Sequence, residues 1–511
     1  MMTSPPLATD ARPQTIVPFR RVLLLCLPAL MLGLVLRVSL LVAIPEVYYG
    51  ADSNSYFDTA RELWANGKIE LKPKRRYLYP IVLAFTPPLP GPTAVGVAVI
   101  QHILGLAIIV GIGWIVAQMT RYPNLWVPLA TCLAAVWPRM LWYEHEMIAE
   151  VWLLAAFVAA VALAVPCGVL KDKQRLFWFL VALVAIVACK PHGRGIWAGL
   201  MLIATVMAGN PLKWGLKNLA MIALAVLVIF TAGSERQGSG LLLNSALPFV
   251  KTEGEPYAKY RAVLRPFVEE ARADLPNYAE NQSKYKKALT GKQTMMGSEW
   301  AELSNNRELY SKVAKHLAVE GILSHPLDYA ELVARKIARV GSLPHQGFFS
   351  PQEFWQRQRL RLDPSREKEI ELLYGTGADG YLQMVEEHSE RTTWIEPLMT
   401  ELSSVLRWTD YRKRGVGQAP DIELTFLGWL LVLGLVTCLS RSYFFCRALI
   451  WLPAVFYLVT TLGVGDAVRR YLQPVDWVGF VIIAIGLDTV TTLVAQRIAG
   501  LRREPQSAPV C

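Results

Sequence analysis

The 511 residues are 53% hydrophobic and only 18% charged, with 16 tryptophans and a mean hydropathy of +0.31. That is too apolar for a water-soluble protein of this length and reads as a chain that crosses a membrane many times. The net charge of +11 is not a nucleic-acid footprint: residues 235–420 hold 26 Lys and Arg against 25 Asp and Glu, so the excess lies among the apolar runs, beside lipid headgroups.

In chain order, apolar runs near 22–44, 93–119, 124–141, 147–165, 176–189, 195–209, 216–232, 424–440, 447–464 and 476–496 are read as spans, against a need of roughly 20 residues per crossing. Those at 124–141, 176–189 and 195–209 are short or interrupted, so the total is about ten. The first run has no small-residue cleavage site and reads as an anchor rather than a signal peptide. Arg20, Arg21, Arg121, Lys173, Arg175, Lys213, Lys217, Arg441, Arg447 and Arg497 crowd one set of span ends, which places both termini in the cytoplasm. The fold expected is therefore an all-α polytopic membrane bundle in three parts. A transmembrane module, 1–232, carries a first outer loop at 45–92. An extracytoplasmic insert follows at 233–423, and 424–511 supplies the last spans and a basic cytoplasmic tail.

The first outer loop opens with a helix from about Ser53 that Gly67 ends as a left-handed cap. The apolar piece after Tyr77 holds about ten residues, too few to cross, and should lie in the interface or re-enter. The insert reads as helical rather than β: Leu309, Val313 and Leu317 share a face, Pro326 starts a second helix, and Gly341 stops it. Its aromatic stretch "GFFSPQEFW" suits a membrane surface or the insert's own core. All seven cysteines lie in or beside spans, so neither a disulfide scaffold nor a zinc spacing is present.

The outer loops hold the polar groups. The first brings Asp52, Asp58, Lys74, Arg75, Arg76 and Tyr77; the second Arg139, Glu144, His145, Glu146 and Glu150; the third Lys190, His192 and Arg194; the last Asp466, Arg469, Arg470 and Tyr471. Each has a plainer reading alone. Asp52 could cap the helix that follows it, Arg75 and Arg76 could snorkel, and Arg469 and Arg470 could simply flank a span. Glu150 could cap a span, His145 and His192 could be hydrogen-bonded structural groups, and Arg37 could snorkel or pair inside the bundle. Independent reasons of that kind do not put cations on the disfavoured side of every loop. A cavity lined by Lys and Arg at this depth suits a lipid-linked phosphate.

These residues carry a resemblance. Asp52, Tyr56, Ala60 and Gly67 in order, then Arg76-Tyr77-Leu78-Tyr79-Pro80, resemble the first outer loop of GT-C glycosyltransferases. Gln101, Pro138, Glu150 and Lys190-Pro191 fall where that class has similar residues, and Val468 to Pro474 resembles its element before a late span. The branch with protein O-mannosyltransferases and the bacterial aminoarabinose transferase is the most similar in flavour. The likeness covers about 20–232 and the last spans, while the insert matches nothing. The chain departs from the pattern where Ser53 follows Asp52 instead of a second acid, where Arg469 replaces Glu, and where Lys190 replaces Arg.

The resemblance implies transfer of a sugar from a polyprenyl-phosphate donor to a glycan, glycolipid or protein hydroxyl at the outer face of the plasma (inner) membrane, with inversion. Asp52 is then the base, with Asp58 as its competitor. Lys190, Arg194, Arg469 and Arg470 hold the leaving phosphate, with Arg75 and Arg76 next. Tyr56, Asp58, Tyr77, Arg139, Glu144, Glu146, Glu150, His192 and Tyr471 line the cavity. The reading requires no cofactor and no metal, though Glu144, His145 and Glu146 leave room for a divalent ion; no nucleic acid is a partner. Three other classes compete, one of them a purely structural membrane subunit, which would not explain cations in every outer loop. A lipid-linked polysaccharide polymerase or ligase would carry its long loop between late spans, and a lipid-linked sugar transporter would show two related halves.

Overall fold

The computed structural model describes residues 16–48, 52–69, 76–86, 93–165, 173–207, 238–289, 297–342, 371, 373–391, 394–412, 418, 420–438, 444–465 and 469–501. The expected span at 216–232, the stretch 347–355, Lys74, Arg75 and the side chain of Arg469 lie outside the described residues.

The first span is α1 (Phe19–Ala43), followed by α2 (Ser53–Asn66) and α3 (Leu78–Phe85). Gly67 closes α2 at φ 63° with its N–H on the Leu63 carbonyl, the left-handed geometry that only glycine adopts without a Cβ penalty. The eight residues of α3 reach about 12 Å and cannot cross; α3 lies against α2 instead. Next come α4 (Thr93–Met119), α5 (Pro123–Val136), α6 (Pro138–Glu144), α7 (Glu150–Ala164), α8 (Lys173–Cys189) and α9 (Gly193–Met207). The run 124–141 is not one straight span: α5 and α6 meet at a 53° bend. Pro138 has no N–H to give, and it holds Trp137 extended at φ −66°, ψ 114°, so the helix must restart.

The insert holds α10 (Gly238–Ala246), α11 (Ala258–Ala273), α12 (Tyr278–Leu289), α13 (Gly297–Asn305), α14 (Arg307–Ser324), α15 (Pro326–Gly341), α16 (Ala378–Arg391) and α17 (Ile395–Val405). Leu243, Leu264, Tyr278, Trp300 and Leu317 build it a core of its own. A short antiparallel hairpin, β1 (Thr409–Arg412) with β2 (Asp421–Leu424), accompanies these helices; Thr409 sits opposite Leu424. Tyr411 and Ile422 face each other in it, residue types that fit a pleated surface. The chain ends with α18 (Phe426–Cys438), α19 (Phe444–Val464) and α20 (Asp476–Leu501).

Among the described residues, four helices are long and apolar enough to cross a membrane, Phe19–Ala43, Thr93–Met119, Arg447–Val464 and Asp476–Ile498, and the bent pair makes a fifth if it is one span. Shorter apolar helices 150–164, 193–206 and 426–438 accompany them. The protein is an all-α polytopic membrane bundle. Its last helices return to its first: α19 packs on α9, and α20 packs on α4, α5 and α18. That return brings the turn before α20 over the start of α2.

Candidate functional site

Two loops are zipped together before any charge is considered. The Tyr48 N–H donates to the His145 carbonyl at 2.7 Å, and the Met147 N–H donates to the Tyr48 carbonyl at 2.9 Å. Ser53 Oγ donates to the Met147 carbonyl at 2.9 Å, which seats the first turn of α2 on the loop between α6 and α7. From α4, Gln101 Nε2 donates to the carbonyls of Glu144 and Glu146 at 2.9 and 3.0 Å, while its Oε1 accepts the Tyr79 hydroxyl at 3.0 Å. Buried backbone carbonyls need such donors, so the loop's path is fixed by its neighbours.

On this frame the charges converge. Asp52 stands at the N-cap position of α2 but makes no capping bond with its side chain. It forms an ion pair with Arg470, from the 3₁₀ turn Arg469–Tyr471. The Arg470 Nε lies 3.6 Å from Glu150 Oε1, and Glu150 in turn holds Lys190. Glu150 and Lys190 are buried, whereas the side chains of Asp52 and Arg470 keep 20% and 25% of their surface exposed, which places that pair at the mouth. The Arg470 guanidinium stands 5.6 Å from the Tyr471 ring, whose other neighbour is the His192 ring at 5.2 Å. Four segments far apart in sequence thus supply two acids and two bases to one place.

Glu146, on the same loop, sits deep but keeps a partly exposed face. Burial, then Glu150 and Asp52, push its carboxyl up to about 7, against the pull of Arg470 and Lys190. Burial lowers the Lys190 ammonium from its ordinary value; Glu150 opposes that and Arg470 adds to it. An anion arriving at the mouth therefore meets cations already shared with carboxylates, and it must compete for them.

Arg139 and Glu144, two other candidates, are tied to buried partners. Arg139 is fully buried and donates to both oxygens of Asp476 at 3.1 Å and to the Val340 carbonyl at 3.1 Å. Asp476 also accepts the indole N–H groups of Trp137 and Trp408, each at 3.0 Å. Glu144 is committed to Arg37 at 2.6 Å and to His102 Nδ1 at 3.0 Å, and His102 Nε2 meets His145 Nδ1 at 2.9 Å. Arg37 pairs inside the bundle, as one of its two readings has it. Tyr56 is buried edge-on to Tyr79 at 5.0 Å. Arg76 is buried ahead of α3, Tyr77 beside it is half-buried, and Arg194 lies on the first turn of α9. Asp58 makes no ion pair with the described residues.

His102 and Asp476 escape a reading of outer loops. An ionisable residue inside a span is a signal for His102. Asp476 gives none, because its partners Trp408 and Arg139 lie 68 and 337 residues away. Gly105 belongs to the same buried group: a Cβ there would fall on the Glu144 carboxylate, which Arg37 and His102 hold in place. Gly105→Ala is expected to cost about 1–3 kcal/mol, read as a lower unfolding midpoint in detergent; an unchanged midpoint would mean that Glu144 is free to move.

An apolar groove of about 840 Å³ runs between α4, α7 and α8. Leu78 and Trp152 line the end near Glu150, Trp114 and Ala159 its length, and Trp178 and Arg175 its far end. Among the described residues no group of three or more His, Cys, Asp or Glu is placed to hold a metal ion.

No family model matches the chain, and no curated protein matches it. Among solved structures, the crystal structure of ArnT from Cupriavidus metallidurans bound to undecaprenyl phosphate is similar over 96% of this chain and 82% of that one, at 13% identity and a TM-score of 0.29, too loose a likeness to carry residue roles across.

Proposed function

We propose that the protein is a membrane glycosyltransferase that moves a sugar from a polyprenyl-phosphate carrier to an acceptor hydroxyl at the outer membrane face. The observation that carries this reading is the ion pair of Asp52 with Arg470 beside that of Glu150 with Lys190, together with an apolar groove whose lining includes Trp152, two residues along α7 from Glu150. A phosphate needs fixed cations, a prenyl tail needs an apolar track, and an attacked hydroxyl needs a base.

The ion pairs suggest an order of events. The donor phosphate competes with Asp52 for Arg470 and with Glu150 for Lys190. As Arg470 turns to the phosphate, Asp52 loses its cation and becomes the stronger base. It takes the acceptor's proton while the hydroxyl oxygen attacks the anomeric carbon, and the bond to the phosphate oxygen breaks. Arg470 and Lys190 stabilise the charge that builds on that oxygen. A single displacement of this kind inverts the anomeric centre. Tyr471 and His192 support the Arg470 side chain.

The test is release of polyprenyl phosphate from a sugar-loaded carrier by purified protein. Arg470→Ala is expected to weaken carrier binding roughly ten- to a hundredfold, the worth of hydrogen bonds to a charged group. No release by the wild type, or full carrier affinity in the variant, overturns the reading.

A further inference from the structure

We propose that Glu146 takes up a proton when a phosphate anion occupies the Arg470–Lys190 site, so that donor binding is coupled to protonation; this rests on the phosphate reading above. The argument begins with the division of labour among three neighbouring carboxylates. Asp52 has Arg470 and Glu150 has Lys190. Glu146 has neither: its side chain makes no hydrogen bond or ion pair among the described residues, although its backbone is pinned by Gln101 and by the pairing with Tyr48. Those bonds fix its backbone beside the site, so only rotation of the side chain itself can change its exposure.

The groups that act on it come from every element around the loop. Glu150 on α7 and Asp52 at the head of α2 disfavour its charge. Arg470 of the 3₁₀ turn and Lys190 of the α8–α9 turn favour it. The buried hydroxyls of Tyr143 on α6 and Tyr79 on α3 also feel its charge, and Tyr48 pairs with its backbone. Two acids and two cations balance, and the third acid is left over with its carboxyl near 7. Adding an anion changes the sum in one direction only: it draws Arg470 and Lys190 toward itself and adds negative charge nearby. Both effects disfavour a charged Glu146. The carboxylate then accepts a proton through its partly exposed face from hydronium or a buffer acid: one O–H bond forms on Glu146, and the donor's bond to that proton breaks, its electron pair staying with water or the buffer base. A neutral Glu146 next to the departing phosphate adds no repulsion as that group gains charge.

Linkage fixes the sign. A group that gains a proton on binding makes binding tighter as pH falls through its titration range. The same raised carboxyl contributes stability below pH about 4.5 that is lost as pH rises through about 7, so Glu146→Gln is expected to fold at least as well as the wild type at pH 8.

The experiment uses the full chain in detergent and methyl farnesyl phosphodiester as probe. A diester lacks the second phosphate ionisation near pH ~6 that would obscure the result. Titration calorimetry at pH 7 in two buffers of different ionisation heat is expected to show net proton uptake by the wild type. Its affinity should be about tenfold higher at pH 6 than at pH 8, while Glu146→Gln shows no uptake and a flat profile within about twofold. Probe binding without proton uptake in the wild type, or an unchanged pH profile in Glu146→Gln, overturns the coupling and leaves the phosphate site standing. Absence of probe binding at every pH overturns both.

Discussion

Asp52→Asn is expected to lower turnover by about 10²–10⁴, the range for losing a positioned base, while carrier binding stays as tight as in the wild type or tightens. The two halves of that result come from one ion pair. Asparagine keeps the shape of the side chain but cannot take the acceptor's proton. It also holds Arg470 less firmly than a carboxylate does, which leaves that guanidinium freer for a phosphate. Turnover and lipid-phosphate affinity measured on the same preparation check both. Near-normal turnover would return Asp52 to the part of a helix-start acid. Lost binding together with lost turnover would mean that Asp52 holds Arg470 in position rather than acting as a base. Arg470→Ala should differ from it by losing binding first.

The largest expected effect on stability lies away from that mouth, at Asp476. Its two oxygens serve Arg139, Trp137 and Trp408, and all of these groups are buried. Asp476→Ala strands a guanidinium and two indole N–H groups at once. The cost is expected at about 3–5 kcal/mol, the usual result of breaking a buried pair from one side. It should be visible as loss of monodisperse protein in detergent or as a large fall in the unfolding midpoint. Asp476→Leu combined with Arg139→Met should recover much of the loss, because no charge is then left buried without a partner. A double variant as unstable as the single would place the cost in the indoles instead.

The fold class was open to a reader of the sequence because spans announce themselves by length and apolarity, and Gly67 announces a helix end. The bend at Trp137 was written there too, in Pro138, but a run of apolar residues hides it. Loop charges named Asp52, Glu150, Lys190 and Arg470, but within a longer set that also held Asp58, Arg75, Arg76, Arg139, Glu144, Arg194 and Arg469. What loop position could not do was sort that set. Arg139 and Glu144 look like Arg470 and Glu150 in composition. They differ only in what is buried opposite them, and Asp476, Arg37 and His102 arrive there from other spans. Gln101 drew notice as a residue type at a position, whereas its work, clamping two carbonyls and one hydroxyl, exists only when α4 lies under the loop. Long-range partners of this kind have no local pattern to leave behind.

The pairing of Asp52 with Arg470 also has a meaning in time. A ribosome that has made residues 1–440 has already made Asp52, Glu146, Glu150 and Lys190, but not Arg470. The acids of the mouth then have Lys190 but not Arg470, and the turn that completes the mouth enters only with the last two helices, α19 and α20. An unfinished or C-terminally clipped chain would therefore hold the acidic half of the site without its chief cation. Activity would switch on as one of the last events of biosynthesis, once α20 has docked against α4 and α5.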